Sequence, residues 1–116
     1  MDVVVTVPKS FGLKDWIEEG DLPGQQWSGE EWHFYLRGAL PQIKPGERVY
    51  VVYNEKLRGY APLVRIEKYD KGRYALVRHN DAQAVTIPTP IVGFRGFRYR
   101  FWERTTERPF PEWMNE

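Results

Sequence analysis

The chain has 116 residues, no cysteine, and 17 Lys and Arg against 16 Asp and Glu. That length supports one domain with one core and excludes a repeat array or a second catalytic domain. The missing cysteine excludes a disulfide framework, a thiol nucleophile and a thiolate-ligated metal, and a net charge of +1 excludes a polycation.

Residues 3–7 read as a strand that is apolar on both faces and therefore interior, closed by Pro8. Ser10 is placed to cap a short helix whose buried stripe is Leu13, Trp16 and Ile17, with Gly20 at its end. Residues 21–29 form a loop with Leu22-Pro23-Gly24 as turn chemistry. Residues 31–37 alternate as a strand, with Trp32, Phe34 and Leu36 on one face and His33, Tyr35 and Arg37 on the other.

Pro45-Gly46 makes a tight turn into a strand at 48–53, and Asn54-Glu55-Lys56 turns the chain back into a long strand at 57–67. Gly59 and Pro62 within that strand predict a bulge or bend. Asp70-Lys71-Gly72 leads to a strand at 73–79, and a short one follows at 84–87. The last strand is expected at 92–102, ending with Phe97, Tyr99 and Phe101 on one side and Arg98, Arg100 and Trp102 on the other. From about residue 103 the chain reads as an extended strap that Phe110 and Trp113 pin to the body. Six or seven short strands with frequent turns predict a single, mainly β domain over residues 1–116, a small bent barrel of about six strands with one or two short helices. No segment reads as a secretory leader and no apolar run approaches the ~18 residues of a membrane span, so a cytoplasmic, membrane-free protein is expected.

The composition is unusual in its 18 aromatic side chains, 16% of the chain. Most, including Trp16, Phe34, Tyr50, Tyr60 and Phe101, fall where a core needs them. Trp27 stands in a polar loop between Gln26 and Ser28, which suits either a stacking wall for a flat ligand or a lid on the core. Lys9-Ser10 directly follows an interior strand, where a pocket can open at the sheet's end. Ser10 can bind a base edge and Lys9 a phosphate or exocyclic oxygen, or Ser10 simply caps the helix.

The basic residues are 11 Arg out of 17, and residues 93–104 hold four of them against one Glu. Arg98 and Arg100, with Arg95, Arg104 and Arg108 nearby, suit phosphate-backbone contact with interleaved rings, or a solvated face paired with Glu103 and Glu107. His33 and His79 lack ligand spacing, so no metal is expected, and no cofactor loop or nucleophile elbow occurs.

The run from Pro41 to Tyr69, PQIKPGERVYVVYNEKLRGYAPLVRIEKY, resembles the core hairpin of PUA-like domains, the group that includes the PUA, ASCH, EVE and YTH families. Gly46-Glu47-Arg48-Val49 stands for the turn that opens a strand, and Gly59 for the glycine of the returning strand. Lys9-Ser10 and Trp27 resemble the corresponding positions of EVE members, whereas Phe11-Gly12 replaces their Glu-Pro and the ASCH motif G-x-K-x-x-E-x-R is missing.

The resemblance implies a nucleic-acid-binding module that takes RNA or DNA, with a base, often a modified one, held in an aromatic-walled pocket. Its expected site residues are Lys9, Ser10, Trp27, Ser28, Arg98 and Arg100. Two other functions stay open. One is an ASCH-like amidohydrolase on a modified nucleoside, with Lys9 and Ser10 beside Glu31 or Glu67. The other is a protein-interaction domain whose surface includes Phe110 and Trp113.

Overall fold

The computed structural model describes residues 1–7, 31–79 and 83–110. The fold is mainly β, a six-stranded sheet curled into a half-barrel beside a small two-stranded sheet. Its strands are β1 (Val3–Thr6), β2 (Glu31–Arg37), β3 (Arg48–Tyr53), β4 (Lys56–Lys68), β5 (Arg73–His79), β6 (Val85–Thr86), β7 (Phe97–Tyr99) and β8 (Arg108–Pro109). The large sheet runs β2-β5-β4-β3-β1-β7, with β1 parallel to β3 and the other neighbours antiparallel. Residues 8–30, which include the expected helix and Trp16, lie outside the described residues.

The valines of β1 point alternately to two cores. Val3 and Val5 join Val49, Val51, Trp32, Phe34, Tyr74 and Leu76 in a cluster to which all six strands contribute. Val4 joins Tyr50, Val52, Leu57, Ile87 and Ile91 on the opposite face. Both faces of β1 are therefore covered, as an uninterrupted Val run requires.

The β3–β4 hairpin closes on Asn54 and Glu55, both at positive φ (51° and 62°), the geometry of a two-residue turn matched to the strand twist. Val51 pairs with Gly59 and Val52 with Leu57, so Arg58 is the extra residue of a bulge. Its buried guanidinium donates from Nε to the Tyr53 carbonyl (3.2 Å) and lies 5.5 Å from the ring centroids of both Tyr53 and Phe110.

The strap returns across the second core. Tyr50 Oη donates to Glu107 Oε2 (2.6 Å), Trp102 Nε1 donates to the same oxygen (2.8 Å), and Arg48 Nη1 donates to Glu107 Oε1 (3.2 Å). Burial, then the neighbouring Glu107 carboxylate, pushes the Tyr50 phenol well above its ordinary range. β8 pairs with β6, and the Phe110 amide donates to the Ala84 carbonyl (3.0 Å). Phe110 packs on the first core, as expected; Trp113 lies outside the described residues.

Two expectations change. The last strand is confined to Phe97–Tyr99, because Gly96 takes a positive φ (74°) before it and the chain turns away toward a 3-10 turn at Arg104–Thr106 after it. Alternation ends there, so Phe101, expected in the core, is 59% exposed.

Candidate nucleic-acid interface

The arginines divide by environment. Arg58 and Arg78 are buried, and Arg78 lies 5.4 Å from the Phe34 ring centroid. Arg48 is held by Glu107, and Arg100 and Arg104 by Asp2. Asp2 accepts from the Arg48 amide (2.9 Å), Arg100 Nε (3.1 Å) and Arg104 Nη2 (2.7 Å). Burial acts to raise the Asp2 pKa, but the Arg48 amide and the Arg104 and Arg100 guanidinium groups outweigh it and hold it below the usual value. The glutamates expected as partners of this arginine-rich segment are replaced by Asp2, a residue about one hundred positions away in sequence.

Of the expected site residues, Lys9, Ser10, Trp27 and Ser28 lie outside the described residues. Arg100 is engaged by Asp2 and also donates to the Trp102 carbonyl. Arg98 is exposed, on the face of β7 opposite Phe97 and Tyr99, with its guanidinium 4.5 Å from the Phe94 ring centroid. Neither arginine lines the two cavities described next, although Arg98 lies over Phe94, which lines the second.

A cavity of about 1160 Å³ lies where, among the described residues, β2, the β4–β5 turn and the segment before β7 meet. Its rings are Tyr35, Tyr69 and Tyr74, and its cations are Arg37, Lys68, Arg73 and Arg95, against one carboxylate, Asp70. Among the described residues Arg37, Lys68 and Arg95 form no ion pair, and Arg73 Nε donates to the Asp70 carbonyl (3.2 Å). A second, apolar cavity of about 430 Å³ shares Tyr35, Leu36, Arg95 and Gly96 with the first. Its walls include Trp32, Phe34 and Phe94, and it opens beside Thr6 and Val7 at the end of β1, where a pocket was expected.

No family model, curated protein or solved structure matches the chain. The site is therefore read from its own residues.

The outer face of β2 and β4 braces the mouth of the larger cavity. Arg65 donates to both oxygens of Glu31 (2.6 and 2.9 Å), and from Nε and Nη2 to Glu67 Oε2 (2.9 and 2.7 Å). Tyr69 Oη donates to Glu67 Oε1 (2.7 Å), and His33 Nε2 lies 3.4 Å from the same oxygen. The Arg65 guanidinium lowers the Glu31 pKa; the Tyr69 hydroxyl and then Arg65 lower that of Glu67, and Glu67 in turn raises the Tyr69 phenol. Both carboxylates weighed as possible general bases are thus held ionised and engaged with Arg65. The His33 and Tyr35 rings stack at 6.0 Å, and Tyr35 lies 6.3 Å from Tyr69 at a 34° tilt.

Sequence reasoning places Tyr35 on the face of β2 opposite Trp32, Phe34 and Leu36 and Arg95 in the arginine-rich segment, but singles out neither Tyr35 nor Tyr69 as site residues. Tyr35 was detectable from its parity opposite Trp32, Phe34 and Leu36. Tyr69 was detectable from its position at the edge of the basic Lys68 to Arg73 turn. Among the described residues no group of three or more His, Asp or Glu is arranged to hold a metal ion, and no helix is long and apolar enough to cross a membrane.

Proposed function

We propose that the protein is a PUA-like, cytoplasmic nucleic-acid-binding module that holds one nucleotide with its base in the apolar cavity and its phosphate at the cationic groove. The single observation behind this reading is the adjacency of the two cavities: an aromatic-walled apolar space shares Tyr35, Leu36, Arg95 and Gly96 with a groove lined by four cations and one carboxylate. Rings take the base by stacking and arginines take the phosphate, the two contacts on which single-stranded nucleic-acid binding depends. RNA is favoured over DNA by the resemblance to PUA-like domains, and a modified base by the resemblance to EVE and YTH members.

Calorimetric titration with nucleoside monophosphates and with short single-stranded RNA tests it. Binding is expected to weaken with rising salt and to fall when Arg95→Gln removes the phosphate contact or Phe94→Ala removes an aromatic wall. If neither nucleotides nor RNA bind, the reading is wrong.

A further inference from the structure

Resting on that reading, we infer that the larger cavity carries a second nucleotide, so that the ligand is a single-stranded oligonucleotide and not a free nucleotide or a duplex. Tyr35 and Tyr69 are 71% and 45% exposed, which is unusual for rings in so small a domain with two cores to fill. They are also fixed in place. Glu67 accepts from the Tyr69 hydroxyl and is itself held by Arg65, while His33 stacks on Tyr35. A ring held in position before binding loses little conformational entropy on contact, so it forms a ready stacking ledge.

The ledge is flanked by more cations than carboxylates. Lys68 is the last paired residue of β4, opposite Tyr74, Arg73 opens β5, and Arg37 is opposite Arg73 in the β2–β5 register. These three cations line the larger cavity together with the two exposed rings and do not line the apolar one. Positive charge complements a phosphate backbone, and the face of an exposed aromatic ring can stack on any unpaired base. A base in a duplex is already paired and stacked, so only a single strand can use both the ledge and the cavity.

Tyr69 lines the larger cavity and not the apolar one, so variants there separate the ledge from the base pocket. The experiment compares a nucleoside monophosphate, a single-stranded oligonucleotide and a duplex of the same sequence by fluorescence anisotropy and calorimetry. Wild type, Tyr69→Ala, Tyr69→Phe and Arg73→Gln are used, each with its melting temperature recorded. The oligonucleotide is expected to bind more tightly than the mononucleotide or the duplex. Tyr69→Ala is expected to weaken the oligonucleotide roughly 5- to 150-fold, the range of one base–aromatic stack. Tyr69→Phe, which keeps the ring, is expected to retain most of the affinity. Arg73→Gln is expected to reduce the slope of log affinity on log salt by about 0.7, one phosphate contact on a single strand.

Neither Tyr69 change is expected to alter mononucleotide binding. Equal affinity for mononucleotide and oligonucleotide, duplex binding as tight as single-strand binding, or an unchanged oligonucleotide affinity in Tyr69→Ala would each overturn the ledge while leaving the base pocket standing. Loss of all nucleotide and RNA binding in wild type would overturn the base pocket and the ledge together.

Discussion

Replacing Gly59 by Ala tests how the long strand β4 is allowed to bend. Gly59 sits at φ +154° in the bulge of β4. A Cβ there would stand 2.4 Å from the Gln83 carbonyl oxygen and 3.2 Å from its carbon. That backbone is fixed by reciprocal hydrogen bonds, Tyr60 N to Gln83 O at 3.1 Å and Gln83 N to Tyr60 O at 2.8 Å. The clash is relieved only by loosening these two bonds, each worth about 1 kcal/mol net. A side chain at this φ adds about 1–3 kcal/mol of backbone strain. The total is about 3–5 kcal/mol, which for a domain of this size lowers Tm by roughly 10–20 °C. Gly46→Ala is the matched control, since Gly46 also has a positive φ (90°) but nothing within 4 Å of the added carbon. Thermal unfolding followed by circular dichroism compares the two variants. If Gly59→Ala melts no lower than Gly46→Ala, the close approach of residue 83 does not constrain the strand and the reasoning fails.

Three further outcomes follow from the buried charges. Asp2→Ala removes a carboxylate shared by the Arg48 amide and two guanidinium groups. Breaking a buried pair costs about 3–5 kcal/mol, but Arg100 and Arg104 are partly exposed and rehydrate, so about 2–3 kcal/mol is expected in chemical denaturation. Glu107→Gln weakens the acceptor that holds Tyr50, Trp102 and Arg48, so limited proteolysis is expected to cleave the strap sooner, at a stability loss of about 1–2 kcal/mol. The native pKa of Asp2 is depressed below its unfolded value of about 3.9, so its stabilisation is complete above that pH and is lost as pH falls through the native value. Melting between pH 7 and 3 is expected to show a smaller acid loss in Asp2→Asn than in wild type.

The strands were legible wherever burial imposes a period. The unbroken Val3–Val5 run announced an interior strand, the alternation from Trp32 to Leu36 set the inner face of β2, and Asn54-Glu55 and Asp70-Lys71-Gly72 marked the two hairpin ends of the sheet. Gly59 announced the bulge, though not the neighbour that makes a side chain there so costly. What sequence did not reveal is mostly long-range charge pairing. Arg98 and Arg100 look alike in an alternating strand, yet Arg100 is claimed by Asp2 at the other end of the chain while Arg98 remains exposed. No local pattern marks Arg58 and Arg78 as interior, yet the bulge and the inward register of β5 bury them against aromatic rings. The cationic groove is assembled from residues 35–37, 68–74 and 95–96, segments that no local pattern connects.

The most direct test of nucleic-acid binding through this groove is the salt dependence of single-stranded RNA affinity in wild type and Arg95→Gln. A linear fall of log affinity with log salt is expected, with the slope of Arg95→Gln shallower by about 0.7. Absence of binding at low salt, or a slope unchanged by Arg95→Gln, would contradict a role for the groove in nucleic-acid binding.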